Sequence, residues 1–313
     1  MKVILIVLFV LVTAGAIGAC FSSASYVRSV EAAYVPSGKM VSVNGSDMHV
    51  IEAGDAGPVV MMIHGASANA REFTWTLTPQ LTDNHRILMV DRPGHGYSDR
   101  PEGAQMLGVQ AAQIAGTLEV LAPGEKAVIV GHSFGGAVAL RLALDFPDLV
   151  SSLVLLAPVS HDWGGGGEAW YNGYAANPMI GPVFSQLVPI VGPRQVKNGI
   201  VEVFAPQPAP EGYYEASAIG LLFRPHNFRA NAKDVTALRE ELAAQQDRYD
   251  EISVPVVVYS GAQDTVIKPQ LHVGKLKHQV EGLELVALPH EGHMPHHGEG
   301  EAVAEMIRSL SQE

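Results

Sequence analysis

Along the chain, short aliphatic runs alternate with longer stretches of helical character. Residues 59–63, 87–90, 127–130, 153–156, 254–259 and 283–288 are each a largely apolar run of strand length. Runs that lack polar alternation suit parallel strands covered on both faces. Two further runs, 41–43 and 48–52, flank Asn44-Gly45-Ser46-Asp47, a turn sequence that predicts a β-hairpin. Residues 106–121, 134–146, 268–280 and 300–310 read as helices, the second stopped by Pro147. The alternation predicts an α/β fold: a doubly wound, mostly parallel sheet with helices on both faces.

The rhythm breaks twice. Between residues 160 and 250 there is no clear strand; the stretch carries Gly164 to Gly167, prolines 178, 182, 189, 193, 206, 208 and 210, and a concentration of aromatic residues. Its last part, with Val235, Leu238 and Leu242 at helical spacing, predicts a mostly helical insertion between two strands. The glycine run reads as a hinge at its start. It is no phosphate loop, because no Gly-Lys-Ser/Thr follows.

The second break is at the N-terminus. Residues 3–19 form an uncharged, mostly aliphatic run preceded by Lys2. That is long for the apolar core of a signal peptide and at the lower limit for a membrane-crossing helix, about 17–25 residues. Three readings stay open. A retained signal-anchor keeps Lys2 in the cytoplasm; a cleaved signal ends near Ser22-Ser23-Ala24; and Ile17-Gly18-Ala19-Cys20 resembles a bacterial lipobox with Cys20 lipidated. All three put the rest of the chain outside the cytoplasm, with anchoring favoured over release. Residues 21–37 are small and polar and read as a tether, which divides the chain into an anchor segment, 1–37, and a main domain, 38–313, with a cap at about 160–250.

Composition narrows the classes. Lys+Arg 20 against Asp+Glu 32 gives a net charge of −12, and no basic run interrupts it. Binding nucleic acid through phosphate neutralisation is therefore not expected. A single cysteine excludes an internal disulfide or a multi-cysteine metal site. At 313 residues the length prior allows two domains; the patterning reduces this to one domain and a lid.

The strongest chemical signal is Gly131-His132-Ser133-Phe134-Gly135, which follows an apolar strand run and opens a helical one. A serine on so tight a turn needs neighbours without side chains, and the following helix aims its N-terminal amides at the same place. Ser133 is thus the candidate nucleophile. His293, in Glu291-Gly292-His293 after the run 283–288, is the candidate base. Asp264, in Gly261-Ala262-Gln263-Asp264 after the run 254–259, is the candidate orienting acid. Asp162, after another strand run, is the less favoured alternative acid. His290, His293, His296 and His297 invite a metal reading, but they lack a His-Glu-x-x-His pattern, and Gly292 and Pro295 interrupt the helix it needs. No metal or cofactor is expected.

The motifs Ile63-His64-Gly65-Ala66-Ser67, Asp91-Arg92-Pro93-Gly94-His95-Gly96-Tyr97-Ser98, Gly131-His132-Ser133-Phe134-Gly135-Gly136, Gly261-Ala262-Gln263-Asp264 and Gly292-His293 make the chain resemble the α/β-hydrolase superfamily over nearly all of residues 40–310. The resemblance implies a Ser133–His293–Asp264 triad, a helical cap over it, and an oxyanion hole from the backbone N–H groups of Phe134 and Ala66. Among the neighbours, His64 reads as bracing the oxyanion loop, and Asp91 and His95 as shaping the loop after residues 87–90, with His95 a candidate pocket residue. Trp163, Trp170, Tyr171, Tyr174, Tyr213 and Tyr214 divide evenly between lining an acyl pocket and forming the cap's own core.

These residues point to a serine hydrolase that cleaves the carboxylic ester of a small or medium apolar molecule through an acyl-enzyme. Lactone or amide hydrolysis, C–C bond hydrolysis and cofactor-free perhydrolysis use the same triad, so the motifs do not separate them. A non-catalytic ligand-binding relative is the reading from a different class. The expected partners are an ester substrate and, through the N-terminal segment, a membrane; oligomeric state is not readable.

Overall fold

The computed structural model describes residues 2–166 and 169–312. Each apolar run becomes a strand of one 8-stranded sheet: β1 (Lys39–Val43), β2 (Ser46–Ala53), β3 (Val59–Ile63), β4 (Arg86–Val90), β5 (Ala127–His132), β6 (Val150–Leu156), β7 (Val256–Gly261) and β8 (Glu284–Leu288). The order across the sheet is β1-β2-β4-β3-β5-β6-β7-β8. β1–β2 and β2–β4 pair antiparallel; β4 through β8 are parallel. The hairpin closes on Asn44-Gly45 alone, since Ser46 pairs with Val43.

The continuous apolar runs are needed because both faces are covered. Val59, Met61 and Ile63 of β3 belong to one core and Val60 and Met62 to the other. The first core contains α2 (Leu107–Leu121) and α3 (Phe134–Asp145); the second contains the later helix Gly300–Leu310 through Val303, Ala304 and Ile307. Successive side chains of a strand alternate between faces, so each strand feeds both layers.

Between β6 and β7 the chain leaves the sheet and forms helices, among them α4 (Trp170–Ala176), α5 (Val188–Phe204) and α6 (Pro225–Gln245). Gly167, part of the expected hinge, lies outside the described residues. α6 returns to the sheet domain through a buried ion pair. Asp234 accepts from Arg92, 2.9 Å away, and from Arg100, 2.7 Å away, and Arg92 and Asp234 are both fully buried. After β7 the chain forms α7 (Pro269–Gln279) and, after β8, α8 (Gly300–Leu310).

The N-terminal helix, α1, runs from Lys2 to Ala33. Residues 21–33, expected to be a tether, are therefore helical. The reason is a stripe the small-residue composition conceals. Val30, with Tyr26 and Tyr34 on either side of it, packs against Ala218 and Leu221 of the cap and Tyr97 of the sheet domain. Tyr26 donates to the Gly220 carbonyl at 3.0 Å, and Glu31 pairs with Arg224 at 3.0 Å. With no Gly or Pro between Cys20 and Val35, nothing stops the helix. Among the described residues, no helix is long and apolar enough to cross a membrane. The apolar run itself includes Val3, Ile6, Leu8, Val10, Leu11 and Val12, whose side chains lie outside that description.

Candidate active site

The chain runs from β3 to β4 on one side and returns to β5 on the other, so the carboxyl ends of β3 and β5 open a crevice at a topological switch point. Ser133 stands there, between β5 and α3, with φ 50° and ψ −113°. That backbone is costly for a residue with a side chain and persists only where the surroundings enforce it. The flanking glycines explain how. A Cβ on Gly135 would lie 2.1 Å from the Ile63 carbonyl oxygen, and one on Gly131 would lie 2.6 Å from the Gly135 oxygen. Only a Gly-x-Ser-x-Gly sequence lets strand, turn and helix approach this closely.

The Ser133 hydroxyl lies 3.0 Å from Nε2 of His293, and Nδ1 of His293 lies 2.8 Å from Oδ2 of Asp264. The other oxygen of Asp264 accepts from the backbone N–H groups of Val266 and Ile267, at 2.8 and 3.0 Å. The acid is thus held by its own turn. With Nδ1–H donated to Asp264, Nε2 of a neutral His293 faces the serine as an acceptor. Burial holds the His293 imidazole below the usual histidine range despite its Asp264 partner, and the nearby His132 adds to the depression. A neutral imidazole is the form a general base requires. Asp162 instead caps its own turn, accepting from the Gly164 N–H at 2.8 Å.

The amide of Phe134 opens α3, where an N–H has no intrahelical partner. Ala66 lies on the loop after β3, two residues beyond His64. Asn231 of α6 fixes the next residue, accepting from the Ser67 N–H at 2.7 Å. Arg92 secures the same loop from beneath, donating to the carbonyls of His64 and Gly65, each at 3.1 Å, with its guanidinium 4.2 Å from the Phe134 ring centroid.

The neighbouring motif residues are fully engaged. His64 Nδ1 lies 2.8 Å from the Gly65 carbonyl, while Nε2 accepts from the Arg92 N–H at 3.0 Å. Burial holds this imidazole down at about 4, so it stays neutral. Asp91 accepts from the Ala70 and Tyr97 N–H groups and faces His49 at 2.7 Å. His95 is buried against Arg92 and Asp234, away from solvent.

The six aromatic residues of the insertion divide. Tyr213 and Tyr214 pack in the cap's own core, with Phe204 and Phe223. They also line a cavity of about 440 Å³ with Pro193 and Ile200, which Ser133 and His293 do not reach. Trp170, Tyr171 and Tyr174 cluster with Phe184 and Phe228 near the surface. Trp163 packs against the sheet's first core.

Sequence reasoning passed over Glu72. It lies on the turn Ala70–Phe73, which Asn69 caps by accepting from the Arg71 N–H at 3.0 Å. Its carboxylate is buried beside His132 and His296, and ligand atoms of the three lie within 4.8 Å of one another. A tetrahedral zinc site with bonds of about 2.0–2.1 Å separates its ligands by roughly 3.3 Å. Glu72 Oε1 and His132 Nδ1 are 2.5 Å apart, closer than two ligands of one such ion stand. Burial opposes both charges, yet the partners outweigh it: the Glu72 carboxyl is held below its ordinary range and the His132 imidazole above its own. No spacing rule links residues 72 and 132, so nothing in the sequence marked the pair.

Residues 60–306 match the model of the "Alpha/beta hydrolase family". The chain belongs to the alpha/beta hydrolase family. It is 30% identical over 265 residues to a pimeloyl-[acyl-carrier protein] methyl ester esterase of Neisseria meningitidis, covering 82% of this chain and 94% of that one. A shorter match, 36% over 118 residues, is to a 2-(acetamidomethylene)succinate hydrolase of Mesorhizobium japonicum, covering 38% of this chain and 41% of that protein. The chain spans 39–45% of the length of the first curated relatives it matches. In fold it is similar to the crystal structure of "a membrane phospholipase A", with a TM-score of 0.71 and 22% identity, covering 100% of this chain and 98% of that one.

Proposed function

We propose that this protein is a hydrolase that cleaves carboxylic esters with Ser133 as the nucleophile, through an acyl-enzyme. The observation that carries the reading is the run of contacts from Ser133 Oγ through His293 to Asp264, at 3.0 and 2.8 Å. His293 Nε2 takes the hydroxyl proton as Oγ attacks the ester carbonyl. The carbonyl oxygen becomes an oxyanion, to which the N–H groups of Phe134 and Ala66 donate. His293 then gives its proton to the leaving alcohol, later takes one from the water that attacks the acyl-enzyme, and returns it to Ser133 Oγ as the acyl–oxygen bond breaks and the acid leaves. Asp264 keeps Nδ1 protonated throughout and steadies the imidazolium. The esterase relative from Neisseria meningitidis, matched over most of both chains, supports ester over other bonds.

The test is labelling by a fluorophosphonate together with turnover of an activated ester. Wild-type protein is expected to label stoichiometrically and to show a burst of alcohol release, and Ser133→Ala to do neither. Equal labelling of Ser133→Ala, or a folded wild type that stays unlabelled, overturns the reading.

The second part of the proposal concerns location: the enzyme sits at a membrane outside the cytoplasm, held by α1. Supporting it are apolar side chains left in solvent on α1, among them Ile4, Phe9, Ile17 and Phe21, and on the cap, where Trp170 is 72%, Met179 86% and Val183 72% exposed. α1 packs against α5, so the two apolar surfaces belong to adjoining elements. Exposed apolar area on this scale is characteristic of an interaction surface. The phospholipase similar in fold over the whole chain is itself described as a membrane protein. Fractionation of cells expressing the full chain is the check, with recovery in the soluble cytoplasmic fraction the contrary result.

A further inference from the structure

The loop after β3, the turn after β5 and the loop carrying His293 come from distant parts of the chain, and one buried pair touches all three. Glu72 Oε2 accepts from the Gly65 N–H at 3.1 Å, beside the Ala66 amide. Glu72 Oε1 faces His132 Nδ1 at 2.5 Å. His132 directly precedes Ser133, and its Nε2 lies 2.9 Å from the backbone carbonyl of His293. A carbonyl only accepts, so Nε2 carries a proton, while Nδ1 faces the carboxylate as an ion-pair contact. Nothing in the acyl-transfer steps uses either side chain. Both are buried, at 2% and 4% exposure, where a charged contact is weakly screened.

We infer that Glu72 and His132 form a positioning couple that ties the Ala66 amide and the His293 imidazole to the Ser133 turn as one frame. The inference rests on the serine-hydrolase reading above. The packing leaves little slack around the couple. A Cβ on Gly65 would lie 3.0 Å from His132 Nδ1 and 3.3 Å from Ser133 Cβ, so the loop after β3 lies directly against it. The His132 ring is 5.0 Å, centroid to centroid, from the His293 ring and 4.8 Å from that of His296, which closes the far side. Nε2 of the buried His296 lies 3.6 Å from the same Glu72 oxygen, so the carboxylate is the charged centre that all three segments face.

A positioning role and an electrostatic role make opposite demands on residue 72. Glu72→Gln keeps the reach and loses the charge: its amide oxygen accepts from Gly65 N–H and its NH₂ donates to a neutral His132. Glu72→Asp keeps the charge but withdraws the carboxylate by about 1.5 Å, the length of one C–C bond, so it no longer spans Gly65 and His132. The readout is kcat per serine titrated by fluorophosphonate, with KM measured alongside, in the full chain. Glu72→Ala and Glu72→Asp are expected to lose about 10- to 100-fold in kcat, with KM changed less than about threefold. Glu72→Gln is expected to rescue kcat to within about threefold of wild type. Combining Glu72→Ala with His132→Ala should cost no more than the worse single change, as for residues acting as a unit. The inference is overturned if Glu72→Asp retains kcat while Glu72→Gln loses it, or if all variants match wild type per titrated serine. Failure of the underlying reading is distinct, because wild type itself would then remain unlabelled.

Discussion

The floor of the site and the cap above it are built on opposite principles. Beneath Ser133, polar groups are buried and paired: His64, Glu72, Asp91, Arg92, His132 and Asp234 all have specific partners at hydrogen-bond distance. Over residues 170–201 the cap leaves large apolar side chains in solvent. The difference follows from what each region must hold. Positions on the floor are set to fractions of an ångström by strand ends and buried hydrogen bonds, because low dielectric makes each unpaired group costly. The cap's outer face has no such constraint, and its composition is free to meet whatever surface it touches.

Single changes are therefore expected to be severe on the floor and mild on the cap. Ser133→Ala is expected to have the largest effect, a loss of about 10⁶-fold in kcat at unchanged melting temperature, read by ester turnover and thermal unfolding. Asp264→Asn should follow, at about 10⁴-fold, because the neutral amide no longer selects the tautomer that leaves Nε2 free. Retention of more than a tenth of wild-type kcat in this variant would move the acid elsewhere. Asp234→Ala tests stability rather than chemistry. It leaves a fully buried guanidinium without its carboxylate, and should cost about 3 kcal/mol or more in denaturant unfolding.

Acid exposes the same contrast through the histidines. Burial holds His64, His226, His272 and His297 at about 4, and His95 and His296 well below the ordinary value of 6.5. Each binds its proton more readily unfolded than folded. Their contribution to stability is therefore present above pH 6.5 and lost progressively as pH falls toward about 4. The raised His132 works in the opposite sense but is outnumbered. Melting temperature should fall steadily across this window, whereas a profile flat down to pH 4 would contradict the burial. The acid limb of kcat/KM should lie below 6.5, following the depressed His293.

The smallest effect is predicted for the cap. Met179→Ser with Val183→Ser should change unfolding free energy by about 0.5 kcal/mol or less and leave turnover of a soluble ester intact. Association with phospholipid vesicles should weaken about 10-fold, as measured by co-sedimentation, if these side chains enter the bilayer surface. Unchanged association would confine membrane contact to α1.

Much was readable from one dimension. The apolar runs specify strands because a parallel strand covered on both faces cannot alternate polar and apolar residues. The elbow is legible because φ 50° at Ser133 and the close approaches at Gly131 and Gly135 are demands of local backbone, and local demands appear as contiguous motifs. Candidates for base and acid were findable because each follows a strand end, although only the fold brought Asp264 rather than Asp162 to His293. What escaped were relations between distant segments. The Arg92–Asp234 tie, the Glu72–His132 couple and the docking of residues 21–33 on the cap each join residues with no fixed separation along the chain. Periodicity and motif report only neighbours in sequence. Contacts across the fold depend on how the elements pack, and that was decided in three dimensions.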